Sequence, residues 1–306
     1  MTLGCEDEIK NNAPRRGAGI AMKTELICLP CFVRQALEAI SLVAPEDAQR
    51  EALLRRVLRD LSEMDWEGTP PAIAQRLHRM LRGVVGHRDP YRAVKDQMNR
   101  AALEMLPAMR EAMKLQPDVR EAAARVAIGG NLLDAGAKTQ IAAEELPEHL
   151  NSIWSQPLQG NAQELFEAAE RAEHILYLAD NAGEIVLDRL LIEALPMGKI
   201  TLVVRGSPVI NDATMEDATL AGLTELVRVT DNGSDAPGTV LEDCSDEFKQ
   251  LWDNADLVIS KGQGNFETLS GINKPIFFLF IVKCPLVAEM AKAPMGCLVI
   301  RREEVV

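Results

Sequence analysis

From residue 174 onward the chain alternates short β-type apolar runs with amphipathic helical stretches, and few folds accommodate that rhythm. The runs fall at residues 174–179, 200–204, 226–229, 256–260, 275–282 and 297–300, with the clearest helical segments at 185–195 and 215–223. A strand, helix, strand succession predicts an α/β fold whose sheet is mainly parallel and covered on both faces, because parallel neighbours need a crossover connection. The first half keeps a different period. Apolar residues there recur every three or four positions, as in Leu53, Leu54, Val57, Leu58 and Leu61, or Leu77, Met80, Leu81 and Val84, which predicts an all-helical N-terminal domain. Breaks are expected at Pro45, at Gly68-Thr69-Pro70-Pro71, from Gly86 to Pro90, at Pro107, at Pro117 and at Gly129-Gly130. The expected division is a flexible leader over 1–21, with Met22 as an alternative start, a helical domain over 22–155 and an α/β domain over 156–306.

Charge is unevenly spread. Residues 1–150 carry 21 Lys/Arg against 22 Asp/Glu, and residues 151–306 carry 12 against 24, so nearly all of the net charge of −13 lies in the second half. Such a field disfavours nucleic acid and anionic membrane as partners, and it repels a phosphorylated metabolite unless a bound cation reverses it locally. No stretch approaches 18 uncharged apolar residues and the first 19 residues lack a signal-type apolar segment, so a cytoplasmic protein is expected. Six cysteines in 306 residues are too sparse for a disulfide framework.

Four of the β-type runs end in polar residues: Asp180-Asn181, Arg205-Gly206-Ser207, Asp231-Asn232-Gly233 and Lys261-Gly262-Gln263-Gly264-Asn265. In a parallel sheet these ends share one edge, where α/β proteins bind ligands. Asp180 and Asn181 offer oxygen ligands to a hard cation, and Asp212 is close enough in sequence to join them. Ala182 and Gly183 bring helix-start amides that suit an anion. Each feature has a plainer reading: Asp180-Asn181 and Asp212 as helix caps, Arg205-Gly206 as a solvated turn. The glycine-rich run after residue 260 lacks the spacing of a nucleotide phosphate loop.

Taken together, Asp180-Asn181-Ala182-Gly183-Glu184, the run from Arg205 to Thr214 and the run from Ser260 to Glu267 closely resemble the DUF89 family of metal-dependent damage-control phosphatases. Asp89-Pro90-Tyr91 with Lys95 and Asn99, and Gly130-Asn131-Leu132-Leu133-Asp134, resemble that family's helical-side motifs. The resemblance implies a Rossmann-like three-layer α/β/α domain beside the helical one. It also implies a divalent metal (Mg, Mn, Co or Ni) on Asp180, Asn181 and Asp212, with Asp180, Asp212 and Lys261 catalytic. Substrate phosphate would meet Ala182, Gly183, Glu184, Arg205 and Lys261, with Asn131 and Asp134 lining the pocket from the helical side. The implied activity is hydrolysis of small phosphorylated metabolites, either sugar phosphates or damaged cofactor intermediates. Glu184 departs from the aromatic of eukaryotic members, so their substrate preferences do not carry over.

Cys28-Leu29-Pro30-Cys31 resembles the CxxC of a mainly prokaryotic branch of the same family. It supports a rival reading, a redox- or metal-responsive binding protein. A zinc site there needs two more ligands, Cys284 plus Cys244 or Cys297, and no second CxxC supplies them. The four histidines share no metal-ligand spacing, and no Ser-His-Asp or Cys-His arrangement rests on a motif.

Overall fold

The computed structural model describes residues 22–86, 89–130 and 152–304. Five helices come first: α1 (Leu29–Val43), α2 (Asp47–Glu63), α3 (Pro70–Val85), α4 (Arg92–Lys114) and α5 (Val119–Gly129). Proline in the first turn opens α1 and α3, where the missing N–H has no intrahelical partner to lose. Gly86 closes α3 in the left-handed conformation, and the Asp118 carboxylate caps α5 through the amides of Arg120 and Glu121. One expected break is absent. The helix α4 runs through Pro107, because its apolar stripe Met98, Ala102, Leu106, Met109 and Met113 is buried along the whole length and outweighs one lost hydrogen bond.

The strands are β1 (Leu158–Gln159), β2 (Ile175–Leu178), β3 (Ile200–Val204), β4 (Arg228–Asp231), β5 (Leu257–Lys261), β6 (Ile276–Ile281) and β7 (Leu298–Glu303). They form one sheet in the order β1-β7-β6-β5-β2-β3-β4, parallel throughout except for β6 against β7. From β2 the chain moves outward through β3 and β4, then returns to β5 on the other side of β2. The gap between the ends of β2 and β5 is therefore the point where strand order reverses, the position at which open α/β sheets bind ligands.

The helices of this half are α6 (Ala162–Arg171), α7 (Glu184–Ala194), α8 (Met215–Leu220), α9 (Asp246–Asn254), α10 (Gln263–Leu269) and α11 (Pro285–Ala291). Successive residues of β6 divide between two cores, as strand geometry requires. Phe277, Leu279 and Ile281 join α4, α5, α6 and α7, whereas Ile276, Phe278 and Phe280 join α9, α10 and α11. Thus α4 and α5 cover one face of the sheet. The first three helices have their own cluster, which rests on Val209 and Ile210 in the segment after β3. By length and composition alone, Leu26–Val43 could cross a membrane, but it carries Arg34 and Glu38, and Phe32, Ala36, Ala39 and Ile40 pack into that cluster.

Candidate active site

The segment after β3 doubles back, and residues 211–214 lie between the extensions of β2 and β3. Asn181 bridges Asp212 in antiparallel fashion while Arg205 bridges Thr214 in parallel. The amide of Ala213 donates to the carbonyl of Asp180 at 2.8 Å, and that of Arg205 to the carbonyl of Ala213 at 2.9 Å. The reversal forces Ile210 to a φ of 45°, a conformation a β-branched residue adopts only under constraint. This fold-back is what brings Asp180, Asn181 and Asp212, distant in sequence, to one place.

Gly262 is required from the other side of the gap. Its φ is +81°, and a Cβ there would lie 2.0 Å from one Asp180 carboxylate oxygen and 2.6 Å from the other. The backbone at the start of α10 thus forms the wall against which the Asp180 carboxylate rests. Asn181 donates its carboxamide N–H groups to Asp180 Oδ2 at 2.6 Å and Glu184 Oε2 at 3.1 Å, which orients its oxygen away from both carboxylates. Arg205 is buried and donates to Asp212 Oδ2 at 2.7 Å, Thr239 Oγ1 at 3.3 Å and Asn265 Oδ1 at 3.2 Å.

Lys261, the last residue of β5, is fully buried. Its ammonium donates to Glu184 Oε1 and Asp188 Oδ1, both at 2.6 Å, and to the carbonyl of Ala127 at 2.9 Å, so its three protons are committed. Burial acts to lower its pKa, but Asp188 and Glu184 outweigh it and raise the value above the lysine norm. The amides of Ala182 and Gly183 are likewise engaged, with the carbonyl of Asn211 at 2.9 Å and Asn99 Oδ1 at 2.7 Å. Asn131 and Asp134 lie outside the described residues.

The electrostatics are those of crowded acids. Burial pushes the Asp180 carboxyl well above the usual carboxylate range; Glu184 and Asp212 reinforce the shift, and Arg205 and Lys283 oppose it. Asp188 is raised to about 6 by burial, with Lys261 opposing. The second Asp188 oxygen and the Tyr177 hydroxyl interact electrostatically but outside hydrogen-bond geometry, and neither has another partner. Asp180, Asp212, Glu184 and Asp188 outnumber the basic groups beside them, Arg205, Lys261 and Lys283, a balance that suits a divalent cation. The residues present fit such an ion, with two carboxylates and one carboxamide supplying hard oxygen ligands. Among the described residues no three His, Cys, Asp or Glu side chains gather closely enough to hold a metal, so a three-ligand set here would have to include the Asn181 carboxamide.

Several participants escaped the sequence reading. Asp188 had one visible signal, its position four residues after Glu184 on the same helical face. Thr239, which accepts from Arg205, had none specific enough, whereas Asn265, another acceptor from Arg205, ends the polar run at 261–265 that the sequence singled out. Lys95 and Asn99, which the sequence did single out among the helical-side motifs, lie on α4. Lys95 pairs with Asp217 at 2.7 Å, and Asn99 donates to Asp217 Oδ1 at 2.8 Å while accepting from Gly183.

The cysteines stand apart from this set. Those at 28, 31, 244, 284 and 297 are all free thiols. Burial raises the pKa of Cys28, with Glu267, Cys284 and Cys31 adding to the shift; burial also raises Cys284. That direction is opposite to the one a redox-active thiolate needs.

The family model of the damage-control phosphatase ARMT1-like domain matches residues 24–299. A protein of Pyrococcus horikoshii named damage-control phosphatase is 34% identical over 289 residues, covering 92% of this chain and 99% of that protein. A damage-control phosphatase of Archaeoglobus fulgidus is 33% identical over 285 residues, covering 91% and 98%. The crystal structure of a DUF89 family protein from Pyrococcus horikoshii matches with a TM-score of 0.84 at 33% identity, over 92% of this chain and all of that one. On the fold, the fold-back at the switch point and these matches together, the chain belongs to the damage-control phosphatase ARMT1-like (DUF89) family.

Proposed function

We propose that the protein is a divalent-metal-dependent phosphomonoesterase acting on small phosphorylated metabolites, such as sugar phosphates or damaged cofactor intermediates. The observation that carries this reading is the convergence of Asp180, Asn181 and Asp212 at the switch point of the sheet. The printed names of the Pyrococcus and Archaeoglobus relatives support it.

Phosphomonoesters resist hydrolysis because their anionic oxygens repel a nucleophile and charge develops on the leaving and equatorial oxygens. Asp180, Asn181 and Asp212 would hold Mg²⁺, Mn²⁺, Co²⁺ or Ni²⁺, which when bound supplies Lewis acidity to the phosphoryl oxygens and acidity to a water. The protein's own groups do the positioning. Arg205 fixes one oxygen of Asp212, and Gly262 leaves room for the Asp180 carboxylate to lie across the strand ends. Burial holds the Asp180 carboxyl above the usual carboxylate range, and positive charge beside it would favour its ionised form. Arg205 and Lys261 supply fixed positive charge beside the phosphate, Lys261 from behind its pairs with Glu184 and Asp188. Attack is by water rather than by an Asp180 or Asp212 side chain, since the paired Asp-x-Asp of phospho-aspartate phosphatases is missing here.

A screen of phosphorylated metabolites against these four ions, reading free phosphate, tests the reading. Metal-dependent release is expected from the wild type and loss of at least a hundredfold from Asp180→Ala and Asp212→Ala. Full activity in either folded variant contradicts the assignment.

A further inference from the structure

We propose that Asp188 is a positioning residue for the cation site, acting through Lys261 and Glu184 on the carboxamide of Asn181. The inference rests on the reading that Asn181 is a cation ligand, and it assigns work to a side chain that touches none of the three ligands.

Three consecutive contacts make the link. Asp188 Oδ1 accepts from Lys261 Nζ at 2.6 Å, the same ammonium donates to Glu184 Oε1 at 2.6 Å, and Glu184 Oε2 accepts from Asn181 Nδ2 at 3.1 Å. The Asn181 nitrogen also donates to Asp180 Oδ2 at 2.6 Å. All these residues are buried, Lys261 and Asp188 completely. A flipped carboxamide would set its oxygen against two carboxylate oxygens, so Glu184 and Asp180 together decide which Asn181 atom faces the cation. Glu184 can do this only while Lys261 stays centred between two carboxylates. Without Asp188, the ammonium has one anionic partner left, moves fully onto Glu184 and draws it off Asn181.

Packing alone does not account for Asp188. It sits on α7 beside the buried Leu187, Leu190 and Leu191, with the Tyr177 hydroxyl and the Lys261 ammonium as its polar neighbours. Taking this carboxylate out of water costs the fold stability, and well-packed apolar residues in place of the buried ion pairs would cost less. Its retention is explained by what it holds: the lysine that orients a ligand from one shell further out. Partners at that distance commonly change metal affinity by tenfold or more.

The test is Mn²⁺ titration of metal-stripped protein followed by electron paramagnetic resonance, which needs no substrate. Asp188→Asn and Glu184→Gln are each expected to raise the Mn²⁺ Kd about tenfold, and the double variant little further, because both act on one link. A Kd within twofold of wild type in Asp188→Asn, or a double variant equal to the product of the singles, overturns the proposal. Lys261→Gln breaks the same link at its centre and serves if Asp188→Asn does not fold; unchanged affinity in Lys261→Gln also overturns it. Asp212→Asn tests the underlying reading separately: if that variant binds Mn²⁺ as tightly as wild type, the cation site itself is elsewhere.

Discussion

Gly262 and Asp180 show how closely single residues are fitted at this site. The carboxylate occupies the space that any side chain at 262 would need, and the backbone there is left-handed, so Gly262→Ala is penalised twice. It should lose roughly 1–3 kcal/mol of stability and most divalent-cation binding, read by denaturant unfolding and Mn²⁺ titration. Two buried titrating groups give opposite pH signatures. Glu267 has one hydrogen-bond partner, Gln263, and burial raises it to about 7. The native state keeps this proton up to about pH 7 while the unfolded chain releases it near 4.5, so the contribution falls as pH rises through that window. Glu267→Gln should remove a decline of about 3 kcal/mol between pH 4.5 and 7, measured by urea unfolding against pH. His78 is lowered to about 4 by burial, helped by Arg82, and its contribution is complete above 6.5 and lost as pH falls toward 4. His78→Leu should flatten that acid limb in the same measurements. The types of the site residues were legible because the runs at 180–184, 205–214 and 260–267 occur together, although each alone also reads as a helix cap or a turn. Their commitments were not: that Lys261 and the Ala182 and Gly183 amides would already be bonded within the protein depends on Asn99, Ala127 and Asp188, which lie on other elements.

Among the elements, α4 has the largest influence on the site. Lys95 and Asn99 anchor Asp217, which caps α8 through Thr214, and Asn99 also holds the turn at Gly183. One helix thereby fixes both the Asp180–Gly183 turn and the segment that carries Asp212. Burial alone would raise the pKa of Asp217, but Lys95 and Thr214 hold it below the usual carboxylate range. Lys95→Met leaves this carboxylate buried and unpaired, and should cost about 3–5 kcal/mol by chemical denaturation, with loss of metal-dependent hydrolysis. The longer elements were readable from their period, and α1 ends near Pro45, α2 before the cluster at 68–71 and α3 at the cluster 86–90. Others were not. The strand β4 begins two residues later than its apolar run, because pairing with β3 extends through Thr230 to Asp231. The helices α10 and α11 have seven residues each, too few for a period to emerge, and α10 begins inside a glycine-rich run that reads as loop.

For the molecule as a whole, the first three helices are joined to the α/β body by a polar clasp as well as by Val209 and Ile210. Gln75 donates to Asp235 and Asp243 at 2.7 Å each, Arg79 reaches the same two carboxylates, and Arg82 pairs with Asp235. Burial would raise Asp235, yet Arg79, Gln75 and Arg82 hold it below the usual range. Asp235→Ala leaves these donors without their shared acceptor and should speed amide hydrogen exchange across α1 to α3 while leaving β2, β3 and β5 protected. The chain's excess negative charge gains its meaning at the same scale. An acidic body repels a phosphorylated ligand unless a cation changes the local sign, and the proposed place for that cation is the gap between β2 and β5. Anomalous scattering from crystals soaked in Mn²⁺ addresses that most directly: a peak bounded by oxygens of Asp180, Asn181 and Asp212 is expected, and a strong peak elsewhere with none at these three residues would contradict the account.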